Sequence, residues 1–302
     1  MKKTRLLLVV AAFAFAYSSC QKSDSTAPAQ NDQQTYNVQF NVQNFQASYS
    51  DMSPNKISVA GLSPQGGSAS LANAIVYLVY DSLGNLVNSQ QQLKYGNPNF
   101  GVIADKLKAG LYTFVIGAAS KDTSFLYPTS RFTDLKVYCD ADYYTEGGQD
   151  IFLFKQNIRI NKSDTSFNNI QPTRLTGKLV INFTDTIPAS YKRMDVSLDS
   201  VPAYYHVASG SVGWKQHQAH SFYPSFSSGL VYYALGNQIL NVRVDGLKQT
   251  NPDVIDRSIS IKNVNIYTNK QTILTGKFFD VQSVGIPITI DTSYSGSINI
   301  NF

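Results

Sequence analysis

The chain has 302 residues, of which 43% are hydrophobic, 15% are charged and only two are cysteine. This composition excludes disorder throughout and a disulfide-based scaffold, and 25 Lys and Arg against 20 Asp and Glu leave a formal charge of +5. The acids are 19 Asp and a single Glu, Glu146. Because Glu favours helices whereas Asp favours caps and turns, we expect few long surface helices and a chain that is mostly β.

The first 19 residues have the composition of a secretory signal. Basic Lys2, Lys3 and Arg5 precede an apolar run at 6–16, and a basic start followed by about 7–15 apolar residues is typical of such signals. The run is too short for a permanent transmembrane helix, which needs about 20 apolar residues. Removal of the signal leaves 22 basic and 20 acidic residues, so the mature charge says little about partners.

A cysteine follows this signal directly. The sequence Ser18-Ser19-Cys20 resembles the lipobox of bacterial lipoproteins, although Tyr17 stands where leucine is usual. The resemblance implies that lipid on Cys20 anchors the protein to a membrane. The alternative is an ordinary cleavage near Ser19, with Cys20 a spare thiol. The residues from Cys20 to position 34 are largely polar after the cysteine. This composition predicts a flexible tether over 20–34 with a reach of roughly 20 Å.

The second cysteine has no disulfide partner in the chain if Cys20 carries lipid. Cys139 is then either a reactive thiol or a small buried side chain. Isolated cysteines more often have the second role, because a thiol packs like a small hydrophobe. We therefore expect Cys139 to be buried and not to form a disulfide.

Short alternating or apolar segments follow the tether and are bounded by Gly, Pro, Asn and Asp, which is the pattern of β-strands. The segment 36–42 alternates strictly, and 74–80 is apolar throughout, as in a strand covered on both faces. Further strands are predicted at 86–93, 111–118, 151–154, 158–160, 179–183, 194–198, 230–234, 239–244, 258–267, 273–279, 286–290 and 298–302. Many short strands without helical periodicity predict an all-β fold of two tandem β-sandwiches, spanning 35–165 and 166–302.

The common catalytic motifs are absent from the sequence: G-x-S-x-G, G-x-x-x-x-G-K-[ST], G-x-G-x-x-G and H-E-x-x-H. With one Glu, a glycosidase would need Asp in at least one of its carboxylate roles, and the pairs Asp140/Asp142 and Asp253/Asp256 are candidates. Aspartates in loops more often form turns. We therefore expect no enzymatic activity, no cofactor and no metal.

All three histidines, His206, His217 and His220, lie in one stretch of the chain. On a helix, His217 and His220 would share a face and could bind a metal ion. The stretch is instead expected to be strand and loop, with no Cys or Glu nearby to complete a site. Incidental histidines on a surface loop are therefore the favoured interpretation.

Aromatic residues in the same region are candidates for contacts with a partner protein or a glycan. Tyr204, Tyr205, Trp214 and Tyr223 have side chains that can stack on sugar rings or fill a partner's pocket. The alternative is that most of these aromatic residues belong to the core of the second sandwich. Basic residues are scattered, with no cluster denser than Lys192-Arg193, so nucleic acid is not expected as a partner.

Two segments carry a family resemblance. Residues 74–119 contain an apolar strand, then YDSLGNLV at 80–87 and LKAGLYTF at 107–114, and the second half opens with RLTGKLVI at 174–181. These patterns resemble the two transthyretin-like sandwiches of the fimbrillin superfamily of Bacteroidetes, in particular its lipid-anchored minor and anchor subunits. The resemblance implies an outer-membrane lipoprotein with fimbrial subunits as partners. The favoured location is the cell surface, and the periplasmic face is the alternative.

In that family, polymerising stalk subunits are cut by an Arg-specific protease, which removes an early strand and opens a groove for a strand of the next subunit. Here no arginine lies between Arg5 and Arg131. The resemblance therefore implies an uncut anchor or accessory subunit, with the terminal strands at 36–42 and 298–302 as candidate edges or exchanged strands. The alternative function is a surface glycan-binding lipoprotein of a polysaccharide-uptake system, which would contact sugars through the aromatic candidates.

Overall fold

The structure is a computed structural model that describes residues 34–42, 71–121, 124–139, 148–161, 165–223, 229–251, 253–279 and 298–301. The predicted signal, Cys20, nearly all of the tether and the predicted strand at 286–290 lie outside the described residues. Within the described ranges, no helix is long and apolar enough to cross a membrane.

Strands form nearly all the regular structure of the described residues, which confirms the all-β class, and one 3-10 turn at Phe132–Asp134 is the single helical element among them. The first nine strands are β1 Thr35–Val42, β2 Ala74–Tyr80, β3 Leu86–Leu93, β4 Val102–Lys108, β5 Gly110–Ala119, β6 Lys136–Tyr138, β7 Ile151–Ile160, β8 Thr165–Ile170 and β9 Thr173–Arg174. The next ten are β10 Thr176–Phe183, β11 Tyr191–Pro202, β12 Tyr204–His206, β13 Ser211–Val212, β14 Lys215–Phe222, β15 Gly229–Leu235, β16 Gln238–Lys248, β17 Ile255–Ile266, β18 Gln271–Gly276 and β19 Ile298–Asn301.

The first sandwich consists of two sheets that share a core. A three-stranded sheet in the order β4-β1-β8 faces a five-stranded sheet in the order β3-β2-β5-β7-β9. On β1, Val38, Phe40 and Val42 are buried between the sheets, because alternate side chains of a strand point to the same face. The centroid of the Phe40 ring lies 5.5 Å from that of Tyr77 and 4.9 Å from that of Phe114. The alternation of β1 therefore marks the inner face of its sheet.

The second sandwich has the same construction. Its sheets have the orders β15-β10-β18-β19 and β14-β11-β16-β17. Ile181 and Leu274 of the first of these sheets and Val196 and Val244 of the second are fully buried in one core. The two predicted sandwiches are thus confirmed. The predicted boundary at 165/166 precedes β8 and β9, whose pairings are with β1 and β7 of the first sandwich.

The outer face of the five-stranded sheet is also buried, because it packs against the second half of the chain. Leu78 of β2 and Val137 of β6 share an apolar cluster with Val207 and Leu235. β6 pairs with β12, which pairs with β13, so a small three-stranded sheet joins the two halves. All seven residues of β2 are buried, as its apolar sequence predicts.

A buried ion pair lies where the chain passes from the first sandwich to the second. Arg174 Nε donates to the two carboxylate oxygens of Asp150 at 2.9 and 3.0 Å, and Arg174 Nη1 donates to Asn269 Oδ1 at 2.7 Å. Thr176 Oγ1 donates to the same carboxylate at 2.7 Å, and the guanidinium carbon lies 4.9 Å from the centroid of the Phe152 ring. Because buried charges are tolerated only when they are paired and hydrogen-bonded, these contacts hold both halves in one arrangement.

A glycine beside this pair allows two backbone segments to come into contact. A Cβ on Gly177 would lie 2.4 Å from the carbonyl oxygen of Tyr267 and 2.5 Å from a methyl carbon of Ile266, so a larger residue does not fit without a backbone shift. The segment 174–181, which carries part of the family resemblance, therefore encodes the junction. Arg174 provides its ion pair, and Gly177 provides its close packing.

We predict that Arg174→Ala lowers the free energy of unfolding by about 3–5 kcal/mol, because it leaves the Asp150 carboxylate buried without its counter-ion. Chemical denaturation measures the change. Lys248→Ala is the control, since Lys248 pairs with Asp256 at 2.6 Å in a partly exposed position, and ion pairs near the surface contribute little. Equal losses in the two variants would contradict the importance assigned to the buried pair.

Candidate functional site

The first strand is central in its sheet. β1 pairs antiparallel with β4, from Thr35 opposite Lys108 to Asn41 opposite Val102, and it pairs in parallel with β8 on its other side. Of the two roles suggested for this strand, an edge is therefore wrong. The reason is that alternation shows which face of a strand is buried, whereas the number of its neighbours depends on residues far along the chain.

The last described strand lies at an edge. β19 pairs in parallel with β18, with Ile298 opposite Thr272 and Asn301 opposite Thr275. It ends the sheet order β15-β10-β18-β19, so no further strand follows it among the described residues. The strand that the alternation at 298–302 predicts is present, and its outer edge is available for a partner's strand as far as the described residues show.

Two of the aromatic candidates point to opposite faces of β12. Tyr205 faces inward and packs, half-buried, against the apolar cluster between the halves, and this burial raises the pKa of its phenol. Tyr204 faces the other way, with Lys136 Nζ 4.3 Å from its ring centroid and the Tyr138 ring at 5.9 Å. Its ring also lies against Gly213, where a Cβ would be 2.2 Å from a ring carbon. The Tyr204 ring is thus engaged within the protein.

The other two aromatic candidates are exposed. Trp214 is 62% exposed and Tyr223 is 48% exposed. They flank the eight-residue strand β14, and the nine residue steps between them correspond to roughly 31 Å at about 3.4 Å per residue. The four candidates therefore do not form one surface. None of them belongs to the core of the second sandwich, so the core interpretation of these four residues is wrong.

The three histidines lie in different surroundings. His217 is exposed, with Nδ1 2.6 Å from Asp199 Oδ1, whereas His206 is half-buried on β12. His220 is buried on β14 with its ring centroid 5.3 Å from that of Tyr232, and no described residue bonds to its Nε2. His217 and His220 are three residues apart on β14 and therefore point to opposite faces of the strand. The expectation of a surface histidine is wrong for His220. The described part of the chain has no group of three or more His, Cys, Asp or Glu that could hold a metal.

Of the two candidate aspartate pairs, only Asp253/Asp256 lies among the described residues. Asp140 and Asp142 lie outside the described residues. Asp256 pairs with Lys248 at 2.6 Å, and Asp253 is exposed. Of the candidate pair Asp253/Asp256, Asp256 therefore takes part in an ordinary ion pair near the surface.

Cys139 packs inside the protein. It is buried, and its Sγ lies 3.5 Å from the carbonyl oxygen of Gln149. A Cβ on Gly148 would be only 2.9 Å from this sulfur, so the thiol is closely surrounded. The prediction that Cys139 is a small buried side chain is confirmed.

The burial of His220 predicts a loss of stability in acid. Desolvation, followed by the charge of Lys121, lowers the pKa of this imidazole. The unfolded chain therefore binds the proton at a higher pH than the folded chain, and the free energy of unfolding falls as the pH drops below about 6.5. We expect His220→Leu to reduce this fall, as measured by urea denaturation at about pH 7.5 and about pH 5.5. His217→Leu, on the exposed face of the same strand, is the control, and an unchanged fall in His220→Leu would refute the assignment.

No family model matches the sequence, and neither does any curated protein sequence. Among solved structures, the chain is similar to a candidate adhesin from Bacteroides ovatus, with 10% identity and a TM-score of 0.50 over 78% of this chain and 85% of that one. It is also similar to a candidate polysaccharide-binding protein from Bacteroides thetaiotaomicron (12% identity, TM-score 0.48, 72% and 78% covered) and to the fimbrial anchor protein Mfa2 from Porphyromonas gingivalis (11% identity, TM-score 0.45, 76% and 82% covered). At such identities the likeness concerns the fold, and the chain therefore has the all-β fold of the Bacteroides ovatus protein.

Proposed function

We propose that the protein is an anchor or accessory subunit of a surface fimbria, held in the outer membrane by lipid on Cys20 and joined to fimbrial subunits by β-strand complementation. Two features support this proposal. The fold is shared with a candidate adhesin, and the segment 174–181, which resembles the opening of the second fimbrillin domain, forms the junction between the two sandwiches.

The observation that carries the proposal is the position of β1. This strand begins at Thr35, 15 residues after Cys20, and it lies between β4 and β8. In the family's stalk subunits an early strand is removed so that a partner's strand can take its place. Here the protein's own strand fills its sheet, and no arginine between Arg5 and Arg131 offers a site for the protease. An uncut β1 stays joined to the lipid anchor, which suits a subunit at the base of a fibre.

β1 is not expected to leave its sheet unaided. Val38 and Phe40 are fully buried, and burial of each such side chain contributes about 1.5–3 kcal/mol. Both edges of β1 are also occupied by neighbouring strands. We therefore assign the partner's strand to a sheet edge without a neighbour among the described strands, for which β19 is the candidate, because strand addition needs unpaired backbone groups.

Glycan binding is the less well supported alternative. The exposure of Trp214 favours it, because exposed aromatic rings stack on sugars. The neighbouring candidates do not extend this ring into a platform, since Tyr204 contacts Lys136 and Tyr205 faces the interior. The fimbrial role explains more of the structure.

We predict that Cys20→Ala moves the protein from the membrane fraction to the soluble fraction, together with any fibre attached to it, because the substitution removes the atom that carries the lipid. Cell fractionation with immunoblotting measures the distribution. Cys139→Ala is the matched control, since this cysteine is buried and its loss leaves the anchor intact. A Cys20→Ala protein that remains wholly in the membrane fraction would exclude the lipid anchor.

The partner is tested by affinity purification of the lipidated protein from its native envelope. Fimbrial subunits in the purified complex are the expected result. Components of a polysaccharide-uptake system in their place would favour the alternative function.

We also predict that the protein gives no signal on a glycan array and that Trp214→Ala leaves this result unchanged. Tyr95→Ala is the control for loss of an exposed aromatic ring, because Tyr95 is fully exposed on the first sandwich. Binding by the native protein that is lost in Trp214→Ala and kept in Tyr95→Ala would establish the glycan-binding alternative.

A further inference from the structure

The outer edge of β4 has backbone groups that β1 does not use. β4 ends the three-stranded sheet, and in an antiparallel pair every second residue turns its N–H and C=O away from its neighbour. Such a row of groups is a template on which a strand of another chain can pair. On β4, the carbonyl groups of Val102 and Ala104 face away from β1 and toward β3.

Glutamine side chains of β3 occupy these groups. Gln92 Nε2 donates to the Val102 carbonyl at 2.7 Å, and Gln92 Oε1 accepts from the Gly101 N–H at 2.9 Å. This side-chain amide therefore bonds to the edge as a peptide group of a neighbouring strand would. Gln90 Nε2 donates to the Ala104 carbonyl at 2.9 Å in the same manner.

Asn88 continues the series toward the other end of β4. Asn88 Nδ2 donates to Asp105 Oδ1 at 2.8 Å, and that oxygen also accepts from the Lys106 N–H at 2.7 Å. The second carboxylate oxygen accepts from Tyr77 Oη at 2.9 Å. Asn88 thus reaches the edge through the Asp105 carboxylate, and Asn88, Gln90 and Gln92 together form an amide ladder along β4.

The spacing of the amide ladder matches that of the edge. Asn88, Gln90 and Gln92 are half-buried, whereas Ser89 and Gln91 between them are exposed. Alternate residues of an antiparallel strand repeat at about 6.8 Å, and the outward groups of β4 repeat at the same interval. A shift of one residue would turn all three amides to the opposite face, so the ladder depends on this register.

We infer that the amide ladder seals the outer edge of β4 against strand addition, so that a second copy of this chain cannot extend the first sandwich on that side. The side-chain amides of Gln92 and Gln90 occupy the Val102 and Ala104 carbonyl groups, which an added strand would need as acceptors. The inference concerns self-association and holds whether or not the protein is a fimbrial subunit.

The test is the double substitution Gln90→Ala with Gln92→Ala in the full-length protein, solubilised in detergent. We expect it to free the two carbonyl groups and the Gly101 N–H, and to tighten self-association by about tenfold or more in Kd. Analytical ultracentrifugation over a range of concentrations measures the association. Amide hydrogen exchange at Gly101 reports the opening of the edge and is expected to become faster.

Gln91→Ala is the matched control, because it removes the same side chain from the exposed face of the same strand. It should change neither the association nor the exchange at Gly101. If the double alanine variant does not fold, Gln90→Met with Gln92→Met keeps the side-chain length and removes the amides, with Gln91→Met as its control. A folded double variant that associates no more than the native protein would overturn the inference.

Discussion

The arrangement of the two sandwiches depends on the buried ion pair between Arg174 and Asp150. The Arg174 side chain has no exposure and that of Asp150 has 5%, so each charge needs the other in a fixed geometry. Asn269 binds the same guanidinium from the turn before β18, which ties the second sandwich to it. The planar, forked donor set of arginine makes these bonds directional. The apolar cluster that includes Val137 and Val207 packs between the five-stranded sheet and the second half of the chain.

The edges of the sheets decide where a partner's strand can pair. A protein that binds partners through its backbone must expose some edges and close others, because every open edge attracts strands indiscriminately. In the first sandwich, β1 is enclosed by two neighbours, and β4 is covered by the amides of β3. Among the described strands, β19 has a neighbour on one side only. Together these features restrict where a partner's strand can pair with the described sheets.

The accuracy of the sequence predictions follows from how local each signal is. The strands at 74–80 and 86–93 are observed at the predicted bounds, because their apolar and alternating patterns lie within the segments themselves. The sequence patterns do not predict β4, β8 and β14. β8 and β14 are largely polar, and Asp105 and Lys106 interrupt the apolar residues of β4, so these strands form through pairing with distant neighbours. The aromatic candidates fail as one surface for the same reason. The surroundings of Tyr204 are set by its pairing with Tyr138, 66 residues earlier.

By itself, the sequence determined the all-β class, the two sandwiches, the buried Cys139 and the alternating inner face of β1, because composition and periodicity are properties of short segments. The sequence also showed the family pattern at 174–181, but not that Arg174 and Gly177 form the junction between the sandwiches. Only the tertiary structure decided that β1 is central, that Arg174 binds both Asp150 and, across the junction, Asn269, and that Gln92 closes the edge of β4. These outcomes depend on hydrogen bonds between residues brought together by strand pairing and sheet packing, and such partners are not marked by any local pattern.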